Sequence, residues 1–554
     1  AHLDHSSDPL VAHELAHQWW GDLLTCRDWA HAWLNEGFAT YFEALWCEED
    51  LGPDEFAWNL KHDRENYLAE EAHRYRRAIV CNRYRAPIEL FDRHLYEKGG
   101  LVLHMLRRLL DDELFFRSLN LYCTRHRGQN VITQDLQKAF EDATGRNLDW
   151  FFDQWVFKEG HPEFEISSSF DDKRNLLNIT IRQTQDVSPT AALFRVSATI
   201  ALMDAGGTES RHKVEIDKRE HTFHFRCEKA PKAVRFDPSS DILKKVRHKR
   251  GREALETILR RAPEAIGRGE AAAALGKDGS PAAVDALRHA MLNDPFWGVQ
   301  ADAAAALGAI RTDAALAALI QGSAIKHPKA RRAVVRALGQ FRNRAEAASR
   351  LIELLQRGDE SYFVEAEAAL SLGKTRDSRA FEILAGLMSR PSYLEVIRAH
   401  ALSGMAELRD ERAIAIACEH CAYGAPPRVR VAAIGALSRL AELSEVHKSE
   451  ILDRIIVLAE DPEFMVRMRL PEAFERIGDG RALGALRRME ERELDGRIKR
   501  RAQDAIAAIS EGRTRAEETA RIREEVDKLR EENRKLEERL SRLEALNEKL
   551  PENA

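Results

Sequence analysis

Two histidines four residues apart, within the segment HELAH at residues 13–17, constrain the fold of this chain more than any other feature. On an α-helix, side chains four residues apart project from one face, which is the geometry in which two imidazoles hold one zinc ion. Glu14 lies between the histidines but off their direction, where its carboxylate could act on a water held by the metal. A catalytic zinc takes three protein ligands and keeps a fourth position open, so one more ligand is needed.

Glu36 is the best candidate for that third ligand. It belongs to a second helical pattern, LNEGFATYFEALW, which can pack antiparallel to the first helix after a polar turn around residues 27–28. A motif of this kind could also occur by chance on a buried helix. The eighteen-residue spacing from His17 to Glu36 and the flanks HELAHQWWG and WLNEGFATY favour a site for one zinc ion, held by His13, His17 and Glu36.

These motifs resemble the aminopeptidase N family of zinc peptidases, gluzincins with a thermolysin-like catalytic domain. The metzincin alternative needs a third histidine six residues after His17, and Leu23 stands there. The resemblance implies a zinc-dependent aminopeptidase that removes N-terminal residues from peptides, with Glu14 as the general base. The segment Tyr96-Glu-Lys-Gly resembles the family's Y-x-K-G, whose tyrosine points at the zinc-bound carbonyl and stabilises the oxyanion. Without the resemblance, a tyrosine before a helix would be read as core packing.

Glu43 is a further candidate within the same helical pattern. It follows Glu36 by seven residues and therefore lies on the same helix face. One interpretation is that it supports a ligand histidine from behind, because metal-bound imidazoles commonly donate their second nitrogen to a carboxylate. The other is a surface carboxylate, and the sequence leaves both open.

The charge and apolar composition limit the partners of the protein. The net charge is −6, and residues 1–165 are markedly acidic while the remainder is basic. An acidic catalytic half suits peptides with a free amino end and argues against a nucleic-acid groove. No run of about twenty apolar residues without charges occurs, so no membrane span is expected. Seven cysteines without regular spacing indicate reduced thiols and predict a cytoplasmic protein.

The sequence predicts four regions in all. The resemblance implies that residues 1–162 are the C-terminal part of a thermolysin-like catalytic domain. Residues 163–245 hold about seven short alternating segments that predict a small β-sandwich. Residues 246–512 repeat a Leu-Gly pair, at 275–276, 307–308, 338–339 and 372–373, which is typical of HEAT-like helical hairpins. Such a solenoid could cover the active site or dock a partner. The fold class expected is multidomain α+β: a mainly helical thermolysin-like portion, a β-sandwich, an α-solenoid and a C-terminal coiled coil.

The tail, residues 513–554, predicts the coiled coil. Leucine recurs at the d position of a seven-residue repeat, and Asn533 occupies an a position. Paired asparagines at a favour a parallel two-stranded coil, so a homodimer is expected. The alternative is a single amphipathic helix lying back on the solenoid.

Two other functions stay open. One is a non-catalytic scaffold built on the peptidase fold, against which the presence of all three ligand residues, Glu14 and Tyr96 argues. The other is an epoxide hydrolase of the leukotriene-hydrolase kind. In the family the zinc helix follows a β-rich domain and a Gly-x-Met-Glu-Asn segment that grips the substrate's amino end, and this chain contains no such segment. The expectation is therefore that the chain is a fragment, whose upstream part holds those residues and any signal peptide.

Overall fold

The computed structural model describes residues 7–187 and 193–512, together with residues 525, 526 and 529. The chain divides into two compact units, Ala1–Leu387 and Met388–Ala554. Its described part is mainly helical, with a small β region and a series of helical hairpins, as the sequence predicts. The proposed coiled coil lies almost wholly outside the described residues. Among the described residues, no helix has the length and apolar character needed to cross a membrane.

The first part of the chain is a cluster of helices around an aromatic core. A short strand after the first helix pairs in parallel with another short strand before the sixth helix. Trp33, Phe38 and Tyr41 on one side of the second helix are fully buried, as are Phe115 and Phe140 from later helices. The elements are α1 (Asp8–Ala16), β1 (Thr25–Cys26), α2 (Trp33–Leu51), α3 (Pro53–His73), α4 (Glu97–Leu110), α5 (Asp112–Arg125), β2 (Asn130–Val131), α6 (Thr133–Thr144) and α7 (Asp149–Phe152).

Seven strands form two sheets after the helical part. They are β3 (Glu163–Asp171), β4 (Leu176–Gln183), β5 (Val196–Met203), β6 (Glu209–Ile216), β7 (Glu220–Arg226), β8 (Ala233–Phe236) and β9 (Lys245–His248). The strand orders are β7-β4-β3-β9 and β6-β5-β8. The first six strands follow the alternating segments of the sequence. The seventh, β9, extends past residue 245 and pairs in parallel with β3; its sequence KVRH has no alternation that would mark a half-buried strand.

Helical hairpins follow in both units. The first unit contains α8 (Arg252–Arg261), α9 (Ala265–Leu275), α10 (Pro281–Asn293), α11 (Trp297–Ile310), α12 (Asp313–Gly322), α13 (Pro328–Leu338), α14 (Ala345–Arg357), α15 (Tyr362–Thr375) and α16 (Ala380–Gly386). The second contains α17 (Val396–Leu408), α18 (Arg412–His420), α19 (Pro427–Leu440), α20 (Glu445–Ile456), α21 (Phe464–Ile477), α22 (Leu483–Arg492) and a helix over 496–512.

At the repeated Leu-Gly pairs, the backbone of one hairpin lies in close contact with the next hairpin. A methyl group on Gly308 would lie 2.9 Å from the Cβ of Ala337 in the next hairpin. On Gly339 it would lie 2.9 Å from the side chain of Ser371. The glycine is therefore required by the spacing of the stack, and the preceding leucine, such as the fully buried Leu338, fills the core beside it.

Buried arginines tie the loops of successive hairpins together, a feature that the sequence pattern does not predict. Arg331 forms two hydrogen bonds of 2.7 Å with the carboxylate of Asp359 and two more with the carbonyl oxygens of Ile325 and Lys326. Arg268 on α9 forms the same two-point contact with the carboxylate of Asp294. One guanidinium thus pairs with a carboxylate of one loop and donates to two carbonyl groups of another.

Helix α3 of the first helical cluster contacts the first hairpins through several side chains. Trp58 packs edge-on against Trp297 at a centroid distance of 5.3 Å, and Lys61 forms a 2.8 Å ion pair with Asp302. Glu55 accepts from the indole nitrogen of Trp297 and pairs with Lys329. Helix α3, which follows the helix that carries Glu36, is therefore held directly by the helical hairpins of this unit.

Candidate metal centre and catalytic site

The two histidines of the HELAH segment lie together at the end of α1. His13 is in the last turn, and His17 follows the helix with helical dihedral angles of φ −60° and ψ −20°. Their rings are therefore still one turn apart on one face, with centroids 5.0 Å from each other. Both face α2, whose first turn carries Glu36.

Glu36 brings a carboxylate oxygen to both imidazoles. Its Oε2 lies 3.6 Å from Nε2 of His13 and 3.3 Å from Nε2 of His17. One potential ligand atom from each of the three residues lies within 4.8 Å of the other two. Nδ1 of His17 is 2.9 Å from the carbonyl oxygen of Trp20, and because a carbonyl only accepts, Nδ1 carries a proton, which leaves Nε2 as the nitrogen that could bind a metal.

This donor set fits zinc. Two imidazole nitrogens and one carboxylate oxygen are a common set of protein ligands for a catalytic zinc ion. The group is half-buried, and both histidines have their second nitrogen next to an oxygen, as metal-bound imidazoles usually do. The geometry therefore brings together all three residues that the sequence predicts as ligands.

The side chains of His13, His17 and Glu36 interact strongly through hydrogen bonds and charges. Burial lowers the pKa of His13, but hydrogen bonds with Glu36 and Glu43 outweigh it and raise that pKa to about 9. Burial raises the pKa of Glu36, yet the two imidazoles lower it to about 2. The carboxylate is thus fully ionised at neutral pH and stabilises positive charge at this position.

Glu43 lies behind His13. Its Oε2 is 3.5 Å from Nδ1 of His13, and its Oε1 accepts a 3.4 Å hydrogen bond from the amide of Asn59 on α3. Glu43 therefore lies at the second nitrogen of His13, which is the position that a supporting carboxylate would need. Asn59 was missed, since no local spacing links α3 to a residue of α2.

Glu14 and Tyr96 flank the three ligand candidates. Glu14 is exposed on α1 beside His13. The Tyr96 ring stacks near the His13 ring at a centroid distance of 6.1 Å. Burial and the charges of Glu36 and Glu14 raise the pKa of Tyr96 above its ordinary value, so the phenol keeps its proton and can donate it in a hydrogen bond.

A glycine contact sets the distance between α2 and α4. A methyl group on Gly37 would lie 3.0 Å from the Cα of Gly99 and 3.2 Å from the carbonyl oxygen of Leu95, and the reverse contact is equally short. The two helices touch through their backbones at the residue after Glu36 and three residues after Tyr96. A side chain at either glycine would push Glu36 and Tyr96 apart.

A second group of potential ligands, Glu70, Asp92 and His94, is also close enough to hold a metal. Its chemistry argues otherwise. Arg77 donates to both oxygens of Asp92, at 2.8 and 2.6 Å, so the carboxylate is already neutralised by a cation. A second cation on the same oxygens would be repelled, and this group is therefore a structural network.

Three regions of the chain match models of known families. Residues 4–155 match the "Peptidase family M1 domain", residues 252–327 and 323–406 match "HEAT repeats", and residues 159–257 match the "TAF2 Ig-like domain". Aminopeptidase N of Lactococcus lactis subsp. lactis is 36% identical over 162 residues, covering 28% of this chain and 19% of that protein. The mitochondrial aminopeptidase 2 of Saccharomyces cerevisiae is 30% identical over 227 residues, covering 39% and 23%.

A solved structure shares the fold. Aminopeptidase A of Legionella pneumophila, in complex with aspartic acid, superposes with a TM-score of 0.65 at 16% identity and covers 90% of this chain and 65% of that one. The chain itself spans about a fifth of the length of the curated relatives above. The resemblance drawn from the zinc motifs is confirmed: residues 4–155, which carry them, match a peptidase family M1 domain, and the chain is similar to named aminopeptidases.

Proposed function

We propose that the protein is a zinc-dependent aminopeptidase that removes the first residue of peptides. The observation that carries the proposal is the convergence of His13, His17 and Glu36, with Tyr96 beside them and Glu14 on the same helix. The relatives that match this segment are themselves named aminopeptidases, which supports the same reaction here. The acidic surroundings suit a substrate with a positively charged amino end.

The side chains divide the chemistry among them. Bound zinc supplies Lewis acidity, which activates water and a carbonyl group for hydrolysis at neutral pH. Glu14 takes the proton of the attacking water and returns it to the departing amine nitrogen. Tyr96 donates its phenol proton in a hydrogen bond to the carbonyl oxygen as negative charge develops there. Glu43 holds His13 through Nδ1, so that Nε2 stays directed at the metal position.

Removing two ligands tests the metal centre. We expect the purified chain to carry about one zinc, and the double variant His17→Ala, Glu36→Ala to carry almost none, because one remaining imidazole does not hold the ion. Elemental analysis by mass spectrometry after dialysis is the measurement. The control is His62→Ala with Glu65→Ala, an exposed His–Glu pair on α3, which should keep the zinc of the parent.

Zinc retained by the double ligand variant would remove the assignment of the site. A parent chain that binds no metal would favour the non-catalytic scaffold instead. A panel of aminoacyl amides separates the peptidase from an epoxide hydrolase on the same fold, since only the peptidase turns them over.

We further propose that the tail, residues 513–550, forms a parallel coiled-coil dimer, on the strength of its heptad pattern with Leu at d and Asn533 at a. Isolated coils of about four heptads are of marginal to moderate stability, so dimerisation should depend on concentration. Sedimentation of the intact chain should show a dimer at tens of micromolar, by order of magnitude, and a chain ending at Gly512 should be monomeric. Two monomeric samples would mean that the tail does not pair.

A further inference from the structure

The turn that precedes α4 is built around the carboxylate of Asp92. Its Oδ1 accepts the backbone N–H groups of His94 and Leu95, at 2.9 and 3.2 Å. Its carbonyl oxygen accepts the N–H groups of Leu95 and Tyr96, at 3.1 and 3.3 Å. Asp92 therefore fixes the backbone direction over the four residues that end at Tyr96, in the manner of a helix cap.

Arg77 holds that carboxylate from the opposite side. It donates to Oδ2 through Nε at 2.8 Å and to Oδ1 through Nη2 at 2.6 Å. The rest of its guanidinium donates to the carbonyl oxygens of Ala78, Ile79 and Leu90. Asp92 is buried, and its second oxygen also accepts the hydroxyl of Tyr75 at 2.8 Å. Arg77 thus links the carboxylate that holds the turn to the backbone of residues 78, 79 and 90.

We propose that the Arg77–Asp92 pair positions Tyr96 for the reaction, so that losing the pair costs turnover through misplacement of the phenol. The inference rests on the proposed function, in which Tyr96 supports the developing charge. The hydrogen bonds of Arg77 and Asp92 do not reach His13, His17 or Glu36, so zinc binding should not depend on the pair.

The substitution Asp92→Asn tests this with almost no change of shape. Asparagine keeps one oxygen for the backbone N–H groups, but its amide group then faces the N–H donors of Arg77 or the hydroxyl of Tyr75. Arg77→Lys keeps the charge and loses the two-point contact. A displacement of about 1 Å at a reacting group costs up to about 10² in rate, so each variant should lose about 10- to 100-fold in kcat with little change in KM.

Arg107→Lys is the matched control. Arg107 lies at the other end of α4 and is equally buried, with a bidentate pair to Asp112 and a further bond to Glu48. Its loss should lower the thermal unfolding midpoint and leave kcat unchanged. Tyr96→Phe is the reference, and combining it with Asp92→Asn should cost no more than Tyr96→Phe alone. Multiplicative losses in that double variant would overturn the proposal.

A readout independent of activity uses tyrosines labelled with ¹³C at Cζ, with Tyr96 assigned from its absence in Tyr96→Phe. The Tyr96 resonance should shift or broaden in Asp92→Asn and Arg77→Lys and stay unchanged in Arg107→Lys. An unchanged resonance in the first two variants would also overturn the proposal. If Asp92→Asn does not fold, Tyr75→Phe replaces it, because it removes only the hydroxyl from Oδ2. Normal turnover in Tyr96→Phe would instead count against the proposed function, and the resonance would still decide whether the pair holds the tyrosine.

Discussion

Glu14→Gln is expected to lower the turnover of aminoacyl amides by up to about 10⁴, the upper range for a lost general acid–base, while zinc content stays at the level of the parent. Glutamine has nearly the shape of glutamate but cannot take a proton from water or return one to an amine. Glu14 is exposed and contributes no atom to the group formed by His13, His17 and Glu36, so the metal should remain. Steady-state kinetics and elemental analysis on the same sample are the measurements.

The control for that experiment is Glu113→Gln, another exposed glutamate, placed in the first turn of α5. It removes the same charge from the same part of the protein and should leave turnover within the error of the assay. Turnover near that of the parent in Glu14→Gln would remove the residue from the mechanism. Loss of zinc in the same variant would show that its role is structural.

The second large effect concerns stability. Arg331→Ala is expected to destabilise the hairpins around α13 by about 3–5 kcal/mol, the range for breaking a buried ion pair from one side. The substitution leaves the buried carboxylate of Asp359 without its cation and two carbonyl groups, of Ile325 and Lys326, without a donor. Native-state hydrogen exchange of the amides in α12 and α13 measures the loss without assuming that the whole chain unfolds at once.

Arg288→Ala provides the comparison. Arg288 also makes a 2.7 Å ion pair, with Asp285, but its side chain is 45% exposed and the pair lies on a helix surface. Such pairs contribute about 0–1 kcal/mol, so protection should hardly change. Equal effects of the two substitutions would mean that the buried Arg331–Asp359 pair stabilises the hairpins no more than a surface ion pair does.

The sequence predicted those parts of the site that depend on short-range periodicity. The spacing of His13 and His17 specifies one helix face by itself, and the pattern around Glu36 indicates a second helix. The helical hairpins were equally visible, because a stacked repeat must reuse the same small and large residues at the same places. Tyr96 needed the family resemblance, since nothing in its local pattern separates it from core packing.

Contacts between distant segments could not be predicted. Lys61 and Asp302 pair across 241 positions of the chain, and no local rule links their two helices. Arg77 and Asp92 lie in irregular segments, where the only signal is an aspartate five residues before a helix. Strand β9 has no alternation to reveal it, because its place at a sheet edge is determined by β3 rather than by its own side chains.

The backbone contact between Gly37 and Gly99 makes the two halves of the site one mechanical body. Because the backbones of α2 and α4 touch without intervening side chains, the two helices are expected to move as one unit. Glu36 and Tyr96 then keep their distance from each other. In the proposed peptidase, any opening or closing of the site around a peptide therefore has to come from other elements. A search for proteins with the same rigid centre can use the two glycines as a joint marker beside the metal motif.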